Sequence, residues 1–256
     1  MAFVNDGSVH YSGIKNEERI CEKLNNGSMK TVLGHLSSDA VASQRGGTKY
    51  KEDIAVSCKS GEVLISVKNK SKGIDIGSFD WVNSSSAIRN STTDTFRQVQ
   101  ETVDNLRNST KSKESAREIF NRSSYNTLIS LTAQQVKDIL QQQILHKYSG
   151  MKLVISDGAT GKDYFIEFDK TEIAQAIQDY TPNLVFGSGT TSARIIFSDL
   201  YGDRYDYGLR IRLVTNNGIG ALLNPKKNST AVIKVQQDKV SDLINRNMTN
   251  NNCITF

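Results

Sequence analysis

Apolar residues recur at helical spacing near the start of the chain, where Ile20, Cys21 and Leu24 form one stripe. Glu17 falls on that stripe, whereas Glu18, Glu22 and Lys23 fall off it. The pattern predicts a helix that opens near Lys15 or Asn16, with Asn16 as its cap, and stops at Asn25-Asn26-Gly27. An acid on an apolar stripe is costly unless it is paired or metal-bound, so Glu17 is the first candidate for chemistry. Farther on the period changes from helical to two, over 53–58 and 62–69, with Lys59-Ser60-Gly61 between the runs, which predicts a hairpin. With Ser60-Gly61 as a two-residue loop, Lys59 pairs with Glu62 and Asp53 falls opposite Lys68, with Ser66 on the same face. Ile54 and Val56 then share the other face with Val63, Ile65 and Val67, which makes one side apolar and leaves the chemistry on the opposite side.

The stretch 84–126 is rich in Ser, Thr, Asn and Arg. A helix is expected over 95–106, burying Phe96, Val99, Val103 and Leu106, and an exposed loop over 111–115. A second helix over 132–147 buries Val136, Ile139, Leu140, Ile144 and Leu145. Beyond 150 the pattern turns to strands, over 152–155, 164–168, 193–197 and 207–215, with a helix over 171–178 among them. The only prolines are Pro182 and Pro225, so no proline-rich linker separates the parts. The reading is an α/β fold with a central mixed sheet flanked by helices: residues 1–150 form the core, and residues 151–256 a β-rich part packed against it.

Composition narrows the function. A chain of 256 residues with 37% hydrophobic content can bury a sizeable core. Its net charge of +5 favours a polyanionic partner, since clustered Lys and Arg attract phosphate and release its counterions. Cys21, Cys58 and Cys253 are odd in number and scattered, which argues against a disulfide framework or a zinc cluster and fits a reducing cytoplasm. The start MAFVNDGSVHYSG has no apolar core of signal-peptide length, and no stretch approaches a membrane span, so a soluble, cytoplasmic protein is expected. His10, His35 and His146 lie far apart, which leaves little room for a histidine-centred metal site or a Ser-His-Asp triad.

What remains is a carboxylate, a lysine and an inward glutamate. Phosphodiester hydrolysis needs a cation to offset charge on the phosphate, carboxylates to hold that cation, and a group that orients water. Asp53 is suited to hold Mg²⁺, Lys68 to sit beside water and a phosphate oxygen, and Glu17 to reach the same point from the helix. Alone, an Asp and a Lys on neighbouring strands more often form a plain salt bridge. The conjunction with Glu17 and the basic run Lys68, Lys70 and Lys72 is what favours a nuclease centre.

At these residues the sequence resembles the PD-(D/E)xK nuclease superfamily, whose pattern is an acid on one strand and an acid-x-Lys on the next. The match is Asp53 followed by Ser66-Val67-Lys68. It resembles more particularly the small type II restriction endonucleases of the HinP and MspI kind, in which a neutral residue replaces the second acid. Gly13-Ile14-Lys15-Asn16-Glu17 is similar to the Gly-x-x-Asn-Glu opening of that group's first helix, and Ser71-Lys72-Gly73 with Trp81 is similar to its segment leading toward DNA. The resemblance implies a restriction-endonuclease-like core in residues 1–150 and Mg²⁺-dependent cleavage of double-stranded DNA at a short palindrome. It implies catalytic roles for Asp53, Lys68, Glu17 and Ser66, with Asp53 and Glu17 on the metal. With Ser66 where an acid is usual, a further ligand is left to Glu52, a backbone carbonyl such as that of Val67, or a water held by the Ser66 hydroxyl.

Contacts to DNA are expected from Lys70 and Lys72, from Asn83 and Arg89 in a polar stretch, from Gln98 on a helix, and from Arg194, Arg210 and Arg212 on strands of a β-rich, DNA-contacting C-terminal part. A solvated sheet face explains the three arginines about equally well, because strand alternation requires polar residues there in any case. A homodimer and a companion DNA methyltransferase are the other expected partners. The rival expectations are a catalytically inactive DNA-binding module on the same fold, for which Ser66 is the sequence reason, and a homing or repair nuclease.

Overall fold

The computed structural model describes residues 8–34, 36, 38–45, 52–70, 79–80, 94–109, 112–145, 152–158, 160–167, 171–188, 191–215, 218–224, 230–237 and 253–256. In chain order the elements are α1 (Ser8–Lys23), α2 (Met29–Val32), β1 (Val41–Gln44), β2 (Ile54–Cys58), β3 (Gly61–Lys70), β4 (Phe79–Asp80), α3 (Asp94–Arg107), α4 (Lys113–Ile129) and α5 (Ala133–Leu140). They continue with β5 (Lys152–Asp157), β6 (Lys162–Glu167), α6 (Thr171–Asp179), β7 (Thr181–Phe186), β8 (Ser192–Ser198), β9 (Arg204–Tyr205), β10 (Leu209–Thr215), α7 (Ile219–Leu222), β11 (Ala231–Gln237) and β12 (Cys253–Thr255).

The chain divides into two compact units. Unit 1 comprises 1–77, 150–169 and 239–256, and unit 2 comprises 78–149 and 170–238. The expected boundary at 150 therefore does not separate them: each of the two expected parts contributes to both units.

Unit 1 is built on a six-stranded sheet in the order β1-β2-β3-β5-β6-β12. The β3–β5 pairing is parallel and the other four are antiparallel, so the sheet is mixed, as expected. Helix α1 lies against it, and Ile20 and Leu24 share one core with Ile54, Val56, Ile65, Val67, Val154 and Phe165. Fully burying such a side chain stabilises the fold by about 1.5–3 kcal/mol, which makes this shared stripe the main tie between α1 and the sheet. The helix starts earlier than expected, so Asn16 lies in its interior, buried, and is not its cap. The Asn26-Gly27 stop holds only as a kink. Gly27 adopts φ +119° within a π-type turn, Leu24–Ser28, and α2 follows it.

The hairpin register differs from expectation. Cys58 pairs with Gly61 around Lys59-Ser60, and Ile54 pairs with Ile65, so one further step sets Asp53 beside Ser66 and not Lys68. Gly61 has φ +139° and opens the strand, and the Cys58 thiol lies 3.1 Å from the Ser60 hydroxyl across the loop. Because the slip is two residues, every side chain keeps its expected face. The face of β3 away from α1 is nevertheless not open throughout, since Ser66 is only 1% exposed.

Unit 2 carries an antiparallel sheet in the order β4-β11-β10-β8-β7, with β9 added to β8. Leu209, Ile211 and Leu213 alternate as buried positions along β10 with the half-buried Arg210, Arg212 and Val214. Helices α3 and α4 pack on each other, α3 meets β11, and α4 meets β8 and β10. Of the loop expected at 111–115, residue 111 lies outside the described residues and the rest is the start of α4, capped by the Ser112 hydroxyl, which accepts from Ser115 N–H. Strands β1, β4, β7, β9, β11 and β12 were not expected, and the expected helix over 132–147 is α5 followed by a π-type turn, Gln141–Leu145. Among the described residues no helix is long and apolar enough to cross a membrane.

Candidate active site

Asp53 stands at the entrance to β2 with its backbone tied on both sides. Its N–H donates to the Ile65 carbonyl at 3.0 Å, and its carbonyl accepts from Arg45 N–H at 2.9 Å. Its side chain then turns to β3: Oδ2 accepts from Val67 N–H at 2.6 Å and lies 3.6 Å from Lys68 Nζ. The Asp53 and Lys68 side chains are 24% and 33% exposed, so both reach solvent. A hydrogen bond to a carboxylate contributes about 1.5–3 kcal/mol, whereas a part-exposed ion pair contributes about 0–1 kcal/mol. The backbone amide thus sets the carboxylate's position, and the ammonium is left with donors to spare. The second oxygen, Oδ1, makes no hydrogen bond with any described residue.

Glu17 is half-buried on α1, and its Oε2 accepts from Gln44 Nε2 at 2.8 Å. The same amide donates to the Ile14 carbonyl at 3.3 Å. Gln44 pairs with Ile54, and Arg45, the next residue, bonds to the Asp53 backbone. Glu17 therefore approaches the end of the sheet at which Asp53 sits, but the group its carboxylate meets is Gln44. Its charge is felt by Cys21, whose thiol is pushed up to about 11 chiefly by burial and then by Glu17, Glu18 and Glu22.

Behind Glu17 on the same helix lies a polar network. The Asp163 carboxylate on β6, 1% exposed, accepts from Arg19 Nη1 at 2.8 Å, from Arg19 Nη2 at 2.6 Å and from Lys23 Nζ at 2.7 Å. Asn16 Nδ2 donates to the Ser156 hydroxyl at 3.1 Å, and Arg19 Nη2 donates to the same oxygen at 3.0 Å. Lys23 also donates to the Phe256 carbonyl at 2.8 Å. The cluster fastens α1 to β5 and β6, and with it the helix that carries Glu17.

The comparisons with known proteins do not extend this picture. No family model, no curated protein and no solved structure matches the chain.

Of the residues singled out from sequence, Asp53, Lys68, Val67 and Ser66 come together on the hairpin, with Val67 contributing its N–H and Ser66 buried. Among the described residues no three His, Cys, Asp or Glu side chains converge to hold a metal ion. Asp53 and Glu17 are two carboxylates toward this end of the sheet that could hold a divalent ion, a class usually bound by one or two carboxylates plus water and substrate phosphates. Lys70 ends β3, with its side chain undescribed, and Lys72, Asn83, Arg89 and Trp81 lie outside the described residues. Gln98 is exposed on α3, and Arg194, Arg210 and Arg212 stand on β8 and β10, all in unit 2. Sequence reasoning missed Gln44 and the Asp163 network; the short apolar run Ala40-Val41-Ala42 before Gln44 carries no period that marks a strand.

Proposed function

We propose that unit 1 is a Mg²⁺-dependent endonuclease that hydrolyses double-stranded DNA, with a restriction-endonuclease-like core. The observation that carries this reading is the Asp53–Lys68 approach at 3.6 Å, with the carboxylate anchored through the same oxygen, Oδ2, by Val67 N–H. Asp53 Oδ1 is the oxygen suited to Mg²⁺, with Glu17 as a second carboxylate from α1 if it exchanges Gln44 for the ion. When bound, the ion offsets charge on the attacked phosphate and lowers the pKa of its water. Lys68 orients that water and a phosphate oxygen through the ammonium protons not directed at Asp53. The water oxygen forms the new bond to phosphorus as the bond to the leaving oxygen breaks.

The same reading takes the substrate to be a short palindrome, cut by a homodimer in the cytoplasm of a cell that protects its own DNA with a companion methyltransferase. Plasmid DNA incubated with the protein is expected to give discrete fragments with Mg²⁺ and none with EDTA. Asp53→Asn and Lys68→Ala are each expected to lower the cleavage rate by about a hundredfold or more, with folding checked by circular dichroism. Intact plasmid under all divalent ions, from a folded protein, would sink the proposal. One observation favours a second reading: with no three-carboxylate group among the described residues, a binder on the same fold would shift DNA without cutting it. A single rare cut in place of frequent ones would instead point to a homing or repair nuclease.

A further inference from the structure

The half-buried carboxylate of Glu17 is held by a neutral group where a cation would serve it better. Gln44 Nε2 donates to Glu17 Oε2 at 2.8 Å and to the Ile14 carbonyl at 3.3 Å. Both partners are acceptors only, so the amide has one orientation, with its nitrogen serving α1. Glu17 Oε1 makes no hydrogen bond or ion pair with any described residue. A half-buried carboxylate with a single neutral donor is short of compensation, and a divalent cation supplies more of it than an amide does.

The strand that carries this amide is tied down. Asn25, in the turn after α1, clamps both backbone polar groups of Ala42: its Nδ2 donates to the Ala42 carbonyl at 2.9 Å, and its Oδ1 accepts from Ala42 N–H at 2.8 Å. Ala42 lies two residues before Gln44 on β1, so both side chains take the same face. Gln44 in turn pairs with Ile54, and the N–H of Arg45, which follows it, bonds to the Asp53 carbonyl. The amide therefore stands one residue from the step that carries Asp53. The Asp53 carboxylate accepts from Val67 N–H and so takes a ladder position between β2 and β3, lying on neither face of the sheet. Without a cation between them, two carboxylates at one end of a sheet repel, so a donor that holds one of them apart favours the ion-free state.

We infer that Gln44 is a latch on the ion site. Its amide stabilises the ion-free arrangement, and Glu17 joins Asp53 only by giving that hydrogen bond up. This rests on the reading of Asp53 and Glu17 as the two carboxylates of a Mg²⁺ site, and adds that the site assembles only at a cation concentration that outweighs the latch. The fraction of molecules in which Glu17 is unlatched scales the apparent affinity, so the contact weakens ion binding and its removal tightens it. Removing a residue that merely supported the fold, or one that held Glu17 ready for the ion, has the opposite effect.

The test is binding of Mn²⁺, a paramagnetic stand-in for Mg²⁺, to the full chain without DNA, read from the electron paramagnetic resonance signal of the free ion. The parent protein is expected to bind Mn²⁺ with an affinity that Asp53→Asn and Glu17→Gln each lower. Gln44→Met keeps the length of the side chain and removes the donor, and is expected to tighten binding by about fivefold or more. In the Glu17→Gln background the same change should have no effect, because the latch acts only through that carboxylate. If Gln44→Met does not fold, Gln44→Asn, whose amide is one methylene short of both acceptors, is expected to move the affinity the same way. Unchanged or weaker binding in the Gln44 variants, or equal tightening in the Glu17→Gln background, would overturn the latch and leave the Asp53–Glu17 ion site standing. Binding that neither Asp53→Asn nor Glu17→Gln lowers would overturn the ion reading itself, and the latch with it.

Discussion

Two opposed effects meet at Asp163. Burial pushes its carboxyl toward the neutral form, and the hydrogen bonds from Arg19, Lys23 and Ser156, together with the Arg19 charge, more than reverse this and leave its pKa below the ordinary carboxylate value. A group whose folded pKa is depressed contributes stability that is present above the unfolded value, about 3.9 for Asp, and is lost as pH falls through the folded value. The thermal midpoint should therefore drop on acidification below about pH 4, and Asp163→Asn should flatten that part of the profile. At neutral pH the same variant should cost about 1–3 kcal/mol, less than a fully buried pair, because Arg19 and Lys23 remain part-exposed and can rehydrate. Calorimetry of both proteins between acid and neutral pH checks the two statements together. None of this network was legible in the sequence, since Asp163 lies 144 residues from Arg19 and no local pattern links them. Asn16 was misread for the same reason: it suits a helix cap, and a hydrogen bond to Ser156, 140 residues away, holds it inside a helix instead. That Asp53 and Lys68 share a face was legible because alternation fixes faces, but counting set them directly opposite each other, whereas the register puts Asp53 beside Ser66.

At the scale of elements, the break between α1 and α2 rests on two non-helical residues, Asn26 and Gly27. Gly27 sits at φ +119°, where a Cβ would meet nothing within 4 Å but an L residue is strained. Gly27→Ala is expected to lower stability by about 1–2 kcal/mol, read as a lower midpoint in urea, and a variant as stable as the parent would contradict the assigned turn. Strand β3 was easy to read because Val63, Leu64, Ile65 and Val67 make a β-branched-rich apolar run, with Ser66 and Lys68 alternating in its second half. Its register was not, because Lys59-Ser60-Gly61 lacks the Asn-Gly signal that pins a two-residue loop. Helix α4 escaped because its buried face is partly polar, with Ser124 and Thr127 beside Ala116, Phe120 and Leu128, which blurs the apolar period.

At the scale of the whole molecule, the α/β class and the mixed sheet follow from patterns that are local. Strand order does not. The parallel partner of β3 is β5, which begins at Lys152, and the sheet is completed by β12 at the far end of the chain. A fragment of residues 1–150 lacks β5, β6 and β12, which leaves β3 an unpaired edge. Such a fragment, and its complement 151–256, are each expected to show no cooperative thermal unfolding in circular dichroism, while the full chain does. Two independently melting fragments would refute the interleaved division.

The path of the chain has a mechanical consequence. Residues 8 and 256 both belong to unit 1, and unit 2 is made of two excursions that leave and return. Tension applied between residues 8 and 256 is therefore carried first by unit 1, where, among the described residues, β12 is the outermost strand and pairs with β6. Once β12 peels from β6, the pull passes along 239–252 into the end of unit 2, so the inserted lobe stays slack only while that edge strand holds.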